Sequence, residues 1–309
     1  MEQSDALADV LKTIRLKGDS YFCSDFASPW GMEIDYNQNG LFHVVVRGRC
    51  WLQQHHESQP LHLDQGDIVA FPTGCAHWIG SHSRSHRLPA QQVVEQIQSG
   101  SNPFSPHDLH PVTHTLLCGS FNYDFSLDHP FLKDLPCFIH IKASETPDLD
   151  WLRTIAMVLA NESHTASPGS SVMVDRLTEV LFIQLIRFYM NQHKGNLGYI
   201  SALADPQIGL ALNLIHGDEE AYWNVERLAS ELALSRTAFT EKFSAMVGMP
   251  PKSYLVDWRM QKAKQRLQQG DDSMFTIAES SGYSSESAFS KAFKQHFEQT
   301  PGFIRRQGK

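Results

Sequence analysis

The sequence predicts an α+β multidomain protein with a strand-rich N-terminal half, a helical hairpin and an all-α C-terminal region. Short β-branched and aromatic runs separated by glycine turns fill residues 23–142. Apolar residues then recur at helical spacing through residues 149–190. A short helix–turn–helix pattern occurs twice within residues 223–307. At 309 residues and 41% hydrophobic content, the chain is long enough for more than one core.

The charge is divided unevenly along the chain. The formal net charge is −8, and residues 206–309 carry thirteen Lys or Arg against twelve Asp or Glu, which gives +1 for that part and −9 for residues 1–205. A C-terminal region near neutrality that binds a polyanion must concentrate its basic groups on one face. No apolar run reaches membrane-spanning length and no secretory signal is apparent, so we expect a cytoplasmic protein.

Two copies of one pattern organise the C-terminal region. In the first, Asn224 caps an apolar-faced helix and Ser235 caps the helix that follows the turn. In the second, Gly282 permits the turn and Ser285 is the matching cap. Such a unit lays its second helix in the major groove of DNA. Between the copies, residues 249–270 predict one helix with a Pro-Pro start, which would fix the distance between the two reading helices.

This region resembles the DNA-binding domain of AraC/XylS-family transcription regulators. The run from Gly282 to Lys294, followed by Phe297 and Thr300-Pro-Gly-Phe, is similar to the family signature. The resemblance implies that side chains early in both recognition helices face double-stranded DNA. Glu241 and Glu286 have an alternative interpretation as solvent-facing residues. The predicted DNA-contacting set is Arg236, Thr237, Thr240, Glu241, Glu286, Ser287, Ser290, Lys291 and Lys294.

Evenly spaced short strands in residues 23–142 predict a small barrel or jelly roll. His43, the run from Leu63 to His77, and Cys118-Gly119 resemble the cupin sensor domain of one AraC/XylS branch. The resemblance implies a cupin-like β-barrel that the amphipathic helix of residues 1–22 leads into. The Ser-, Gln- and His-rich stretch 84–111 is expected to be a long surface loop.

Three kinds of signal remain open for the barrel. The first is a transition metal such as zinc, since His and Cys are suitable ligands; the candidate set is His43, His77, Cys118 and His129. The metal-binding cupin pattern has a His-x-His pair and a downstream Glu, whereas here Val44 and Val45 follow His43. Core histidines that stabilise turns are the alternative. A cupin-type metalloenzyme with a helical appendage would need those missing ligands, so we expect no enzyme.

The second signal is an oxidant, and the candidate thiols are Cys23, Cys75 and Cys118. Cys118 is predicted in a strand that faces the interior, and the other two are predicted near turns. The branch that the chain resembles includes regulators of the response to oxidants. Buried cysteines that simply pack as small hydrophobes are the alternative. The third signal is an unknown small organic effector.

The predicted domain boundaries are 1–145 for the sensor barrel with its N-terminal helix, 146–200 for the hairpin and linker, and 201–309 for the DNA-binding domain. The hairpin resembles the dimerisation element of the family, with packing inside its own domain as the alternative. The resemblance also implies contact with RNA polymerase, usually in activation and sometimes in repression. We therefore expect a homodimeric, DNA-binding regulator.

Overall fold

The computed structural model describes residues 5–105, 111–124, 127, 129–144, 150–164, 167–217, 223–270 and 272–307. The chain forms two compact units. The strand-rich unit comprises Ile14–Asp128 and Leu135–Gln192. The helical unit comprises Met1–Thr13, His129–Asp134 and His193–Lys309. Each unit is therefore assembled from segments that are separated in the sequence.

Two five-stranded sheets build the strand-rich unit. One has the order β1-β9-β3-β6-β10 and the other β5-β4-β7-β2-β8. In the described residues the sheets are not closed into one barrel, which refines the predicted cupin-like β-barrel. The strands are β1 (Lys17–Phe26), β2 (Gly31–Ile34), β3 (Gly40–Arg47), β4 (Cys50–Gln54), β5 (Leu61–Leu63), β6 (Ile68–Phe71), β7 (His77–Gly80), β8 (Leu88–Pro89), β9 (His114–Asn122) and β10 (Ile139–Ile141).

The central strands β3, β6 and β9 are buried on both faces, which explains the continuous apolar stretches in β3 and β6. Glycine is required at one point in this sheet. A Cβ at Gly119 would lie 2.5 Å from Phe42 Cε1 and 2.3 Å from the Asp19 carbonyl oxygen. The close approach of β1, β9 and β3 therefore depends on the missing side chain.

The predicted hairpin forms as α4 (Asp150–His164) and α5 (Ser170–Gln192), and it packs on β1 within the strand-rich unit. Phe182 on α5 is fully buried, with its ring 4.9 Å from Phe121 and 5.3 Å from Tyr123. One side of the hairpin is thus committed to its own unit. Large apolar side chains remain exposed elsewhere on it: Trp151, Met157, Val158, Val172, Met173 and Val180.

The predicted long loop at 84–111 is wrong in part. The segment contains β8 and a helix, α2 (Ala90–Gln98), which packs on β1 and β2. Val93 is fully buried and Ile97, one turn later, is packed against the same core. Glutamine and serine residues surround these two apolar residues and lower the average hydrophobicity of the segment. The helix was therefore not predicted. Residues 106–110 of that predicted loop lie outside the described residues.

The predicted place of the N-terminal helix also needs correction. The helix forms as α1 (Ala6–Thr13), but it belongs to the helical unit and not to the sensor barrel. It packs on α7 (Ile208–Gly217), and the Ala6 N–H donates to Asn213 Oδ1 at 2.9 Å. The apolar face of an amphipathic helix shows that it is covered, but not by which element. A short helix, α3 (Pro130–Lys133), joins the helical unit as well.

The remaining helices belong to the C-terminal part of the helical unit. They are α6 (Tyr199–Ala204), α8 (Val225–Glu231), α9 (Arg236–Val247), α10 (Pro251–Gln269), α11 (Met274–Ser280), α12 (Glu286–Phe297) and α13 (Pro301–Gln307). None of the helices in the described part of the chain has the length and apolar character needed to cross a membrane.

Candidate functional site

The two predicted helix–turn–helix copies form as α8–α9 and α11–α12. In copy one, the side chains of Asn224 and Ser235 each accept a backbone N–H three residues later. In copy two, Ser273 and Ser285 make the same contacts. These caps satisfy amides that a helix leaves unpaired at its N-terminus, so four capping contacts fix where the four helices begin.

The turns of the two copies differ by one residue. Each begins with a residue in the left-handed region, Ala233 at φ 53° and Gly282 at φ 86°. The next N–H, from Leu234 or Tyr283, then donates 2.9 Å back to the first helix. Copy two adds Ser284 before its cap. Because glycine has no side chain, Gly282 adopts this left-handed conformation without steric strain. Ala233 adopts it with strain, because its Cβ crowds the backbone.

Aromatic residues hold each reading helix in place and leave its polar side chains at the surface. Phe239 and Phe289 are fully buried, as are Phe243 and Phe293. Of the predicted DNA-contacting side chains, Thr240 and Ser290 are half-buried, and the others are exposed. The exposed members are Arg236, Thr237, Glu241, Glu286, Ser287, Lys291 and Lys294.

Local contacts orient two of these residues. Arg236 Nε lies 3.1 Å from Glu226 Oε1, and both side chains are exposed, so the pair is worth less than about 1 kcal/mol. The Thr240 hydroxyl donates to the Arg236 carbonyl at 2.8 Å. Arg236 therefore remains able to turn toward a phosphate or a guanine.

A buried polar cluster in the helical unit was not predicted from the sequence. The hydroxyl of Tyr254, on α10, lies 2.6 Å from the Tyr199 hydroxyl and 2.7 Å from His216 Nε2. The His216 ring stacks on Trp258 at 3.7 Å, and burial holds the pKa of His216 well below its usual value. These groups anchor the helix that joins the two copies. Period-3.6 patterning could identify Tyr254 as buried but not its partners.

The strand-rich unit brings three of the predicted metal and redox candidates together. His43 on β3 and Cys118 on β9 are direct cross-strand partners, and His43 Nδ1 lies 3.0 Å from Cys118 Sγ. His77, at the start of β7 in the other sheet, places its Nε2 2.8 Å from His43 Nε2. His77 Nδ1 lies 2.8 Å from the carbonyl oxygen of Cys75. We call His43, His77 and Cys118 the interior array.

Hydrogen bonding fixes the protons of the interior array. The Cys75 carbonyl can only accept, so His77 Nδ1 donates to it. Neutral His77 then accepts at Nε2 from His43, and His43 Nδ1 accepts from the Cys118 thiol. Burial keeps each group uncharged: it lowers the pKa of His43 to about 4, holds the pKa of His77 well below its usual value, and raises the pKa of Cys118 well above its usual value.

The fourth predicted metal ligand is elsewhere, because His129 lies in the helical unit, where its ring contacts Tyr199, Tyr254 and Trp258. In the strand-rich unit, His43 stands between Cys118 and His77 and uses a different nitrogen toward each. Their donor atoms do not converge on one point, and the described residues contain no group of three His, Cys, Asp or Glu arranged for a metal. As arranged, the interior array does not fit a metal ion.

The redox candidates separate into two environments. Cys23 is buried in β1, which corrects its predicted place near a turn, and burial beside Asp25 raises its pKa to about 12. Cys118 faces the interior as predicted. Cys75 is half-buried and forms a disulfide with Cys137, a residue that the sequence did not single out. The two cysteines are 62 residues apart, and no local pattern joins them.

An open groove of about 1240 Å³ lies on the same unit. Its lining includes Trp51, His62, Asp64, His114, Arg153 and Met157. His114 lies between Thr113 Oγ1, at 2.7 Å from its Nδ1, and the Arg49 carbonyl, at 2.7 Å from its Nε2. Polar and aromatic side chains thus surround a space large enough for a small organic molecule.

Comparisons with known proteins agree with both halves of the chain. A family model described as a cupin matches residues 5–191, and a model described as a helix-turn-helix domain matches residues 228–307. Together these matches cover the strand-rich sheets, the hairpin and both helix–turn–helix copies.

The relatives extend along the whole chain. The chain is 29% identical over 306 residues to the HTH-type transcriptional regulator AlkR of Acinetobacter baylyi, covering 98% of this chain and 99% of that protein. It is 26% identical to the regulator MtrA of Neisseria gonorrhoeae, covering 98% and 99%. It is 30% identical over 191 residues to the RCS-specific activator RclR of Escherichia coli, covering 62% and 67%. This chain belongs to the AraC-type helix-turn-helix transcription regulators that carry an N-terminal cupin domain.

Proposed function

We propose that the strand-rich unit senses a signal and controls sequence-specific DNA binding by α9 and α12, with Arg236 and Lys291 as the main contacts. The observation that supports this most is the pair of capped helices whose first turns expose polar side chains above an aromatic core. Arg and Lys at such positions read guanine or hold phosphate. Thr237, Thr240, Ser287, Ser290 and Lys294 supply further contacts, whereas Glu241 and Glu286 accept from cytosine or face solvent.

Affinity for DNA selected from a random pool tests these roles. Arg236→Ala and Lys291→Ala should each weaken binding at least about fivefold, since a lost base contact costs about 1–3 kcal/mol. The matched control is Lys252→Ala, an exposed lysine in the first turn of α10, which should change affinity less than twofold. Equal losses in all three variants would mean that only overall charge matters, and the assigned contacts would be wrong.

For the signal, we propose that the interior array is the sensing element. It joins the two sheets through a single directional chain of hydrogen bonds, so a change at one end alters the proton positions along it. A transition metal such as zinc would need His43 to rotate until three donors face one point. Metal content of protein purified under reducing conditions tests that arrangement, with His77→Ala as control; we expect no stoichiometric metal in either protein.

A small organic effector is the second candidate signal, and the groove favours it. Calorimetric titration of small aromatic and carboxylic compounds would identify a ligand for the groove. Trp51→Ala should abolish its binding, whereas Trp151→Ala, on the exposed side of the hairpin, should not. Binding that survives Trp51→Ala would place the effector elsewhere.

We also propose that the exposed side of the hairpin forms a homodimer interface. Val172, Met173 and Val180 are exposed on α5, and Met157 is 67% exposed on α4, which is unusual for large apolar residues. Sedimentation should show a dimer for the wild type and a monomer for Val172→Asp with Met173→Asp, neither of which lines the groove. A dimer that persists in this variant would exclude the hairpin face.

The remaining parts of the proposal concern where the protein acts. A DNA-binding regulator works in the cytoplasm with RNA polymerase as partner, in activation or repression. We propose no enzymatic activity, because the histidines and thiol of the interior array are buried and bonded to one another. Transcription from a template bearing the selected site tests the sign of regulation; an unchanged transcript level would argue against a regulatory role there.

A further inference from the structure

The disulfide between Cys75 and Cys137 stands apart from the other cysteines of the strand-rich unit. Its Cα atoms are 5.8 Å apart, both residues are half-buried, and the Thr73 hydroxyl oxygen lies 3.2 Å from Cys75 Sγ. Cys23, Cys50 and Cys118 are thiols in the buried core. Small oxidants and reductants therefore reach the Cys75–Cys137 pair more readily than any of the other thiols.

Both halves of the disulfide connect to His77. The carbonyl of Cys75 accepts from His77 Nδ1 and is the last acceptor of the interior array. Phe138, next to Cys137, contacts Phe71 at 5.2 Å between ring centroids. Phe71 in turn stacks flat on His77 at 3.6 Å. A change in the bond between the two cysteines therefore acts on one histidine from two sides.

The segment His129–Asp134, which ends shortly before Cys137, belongs to the helical unit; we call it the coupling segment. Only Leu135 and Pro136 separate Cys137 from the segment His129–Asp134. Within the helical unit, the Asp134 carboxylate accepts the Ile200 N–H at 2.7 Å, at the start of α6. His129 packs its ring against Tyr254 and Trp258, both on α10. The coupling segment, His129–Asp134, thus contacts α10, the helix that joins the two DNA-reading copies.

We propose that Cys75 and Cys137 are a reversible redox site that sets DNA affinity through the coupling segment. The inference rests on the proposed DNA-binding function. In the oxidised form, the disulfide fixes the C-terminal end of the segment, and His129 and Asp134 hold α10 and α6 in place. Because α10 sets the separation of α9 and α12, this form is preorganised for DNA. Reduction frees Cys137 and loosens the segment.

The chemistry balances with a two-electron oxidant such as hydrogen peroxide. One cysteine thiolate attacks a peroxide oxygen and becomes a sulfenic acid, with loss of one water. The second thiol displaces the sulfenic oxygen as another water, so two thiols and one peroxide give one disulfide and two waters. A dithiol reverses the step by thiol–disulfide exchange and is itself oxidised to a disulfide. In a compartment kept reducing by glutathione, protein disulfides are usually of this transient, sensing kind.

DNA binding by the full chain after peroxide or dithiothreitol treatment tests the proposal. The wild type should bind its selected site at least fivefold more tightly when oxidised, and mass spectrometry should show the Cys75–Cys137 link appearing and disappearing. Cys75→Ser and Cys137→Ser should bind equally after either treatment. A wild type whose affinity does not change while the disulfide opens, or a disulfide that dithiothreitol cannot open in the folded protein, would overturn the switch.

A second measurement separates this proposal from the proposed function. On reduction, hydrogen exchange should accelerate at least tenfold in residues 129–134 and at the start of α10, with no change in α13. If neither the oxidised nor the reduced protein binds DNA, the proposed DNA-binding function fails. The hydrogen-exchange data then decide by themselves whether the Cys75–Cys137 pair controls the coupling segment. If hydrogen exchange in the coupling segment did not change after reduction, the disulfide would only link the two sheets and the proposed switch would be wrong.

Discussion

The polar groups proposed to act in each unit lie in opposite environments. In the helical unit, the polar side chains of α9 and α12 are exposed above an aromatic core, and a separate polar cluster around Tyr254 is buried. In the strand-rich unit, the polar interior array is buried at the meeting of two sheets. A surface group can be replaced without disturbing the fold, whereas a buried one contributes to stability through every partner it satisfies. Polar substitutions on the exposed faces of α9 and α12 should therefore affect DNA binding, whereas those in the interior array should affect stability.

The largest effect should come from the aromatic core of the helical unit. Phe289→Ala removes a fully buried ring beneath the second reading helix and should destabilise α12 by about 3–5 kcal/mol, measured by native-state hydrogen exchange. The matched control is Phe275→Ala at a 53% exposed position, which should cost under about 0.5 kcal/mol. A loss for Phe289→Ala no greater than the control would contradict the core assignment.

Acid should destabilise both units through buried neutral histidines, and in the strand-rich unit His43 contributes to this effect. Burial lowers the pKa of His43 from 6.5 to about 4, so the unfolded chain binds more protons than the folded chain between those values. Stability present above pH 6.5 is therefore lost as the pH falls toward 4, by an amount on the order of 3 kcal/mol. Urea unfolding from pH 7 to pH 4 checks this.

The variant His43→Gln should remove the part of that pH dependence that His43 contributes and leave the part due to His77, whose pKa is also lowered by burial. It also lowers stability at pH 7 by leaving His77 and Cys118 with poorer partners. His86→Gln, at an exposed position, is the control for replacing a histidine. If His43→Gln kept the full wild-type slope between pH 6.5 and pH 4, another group would be responsible for it.

The smallest effects should come from the two turns within the helical unit. Ala233→Gly should stabilise copy one by about 1 kcal/mol, because alanine is strained at positive φ. Gly282→Ala should destabilise copy two by a similar amount. Thermal unfolding measures both variants. Changes in melting temperature of opposite sign would support the difference between the turns, whereas changes of the same sign would show that packing outweighs the backbone conformation.

The sequence predicted the helical unit far better than the interior of the strand-rich unit, for a physical reason. Caps, turn residues and period-3.6 patterns are local, so Asn224, Ser235, Gly282 and Ser285 could be assigned from neighbours in the chain. The interior array depends on strand register, which aligns His43 with Cys118 across 75 residues. The motif resemblance placed these residues inside, but could not show that His43 separates the other two.

Two misplacements have the same origin. The resemblance to a cupin sensor domain places both His129 and α1 with the barrel, because a motif match gives order along the chain and not the packing partner. Both belong to the helical unit because the chain enters it three times. The pairing of Cys75 with Cys137 could not be predicted either, since five cysteines allow many pairs and nothing local selects one.

The most direct test of the account is guanine methylation interference on DNA selected by the full chain. If α9 and α12 both read DNA, interference should appear at two major-groove clusters about one helical turn, or roughly 10.5 base pairs, apart. Arg236→Ala should erase one cluster and Lys291→Ala the other. A single cluster, or two clusters that both survive in each variant, would contradict the assignment of two reading helices.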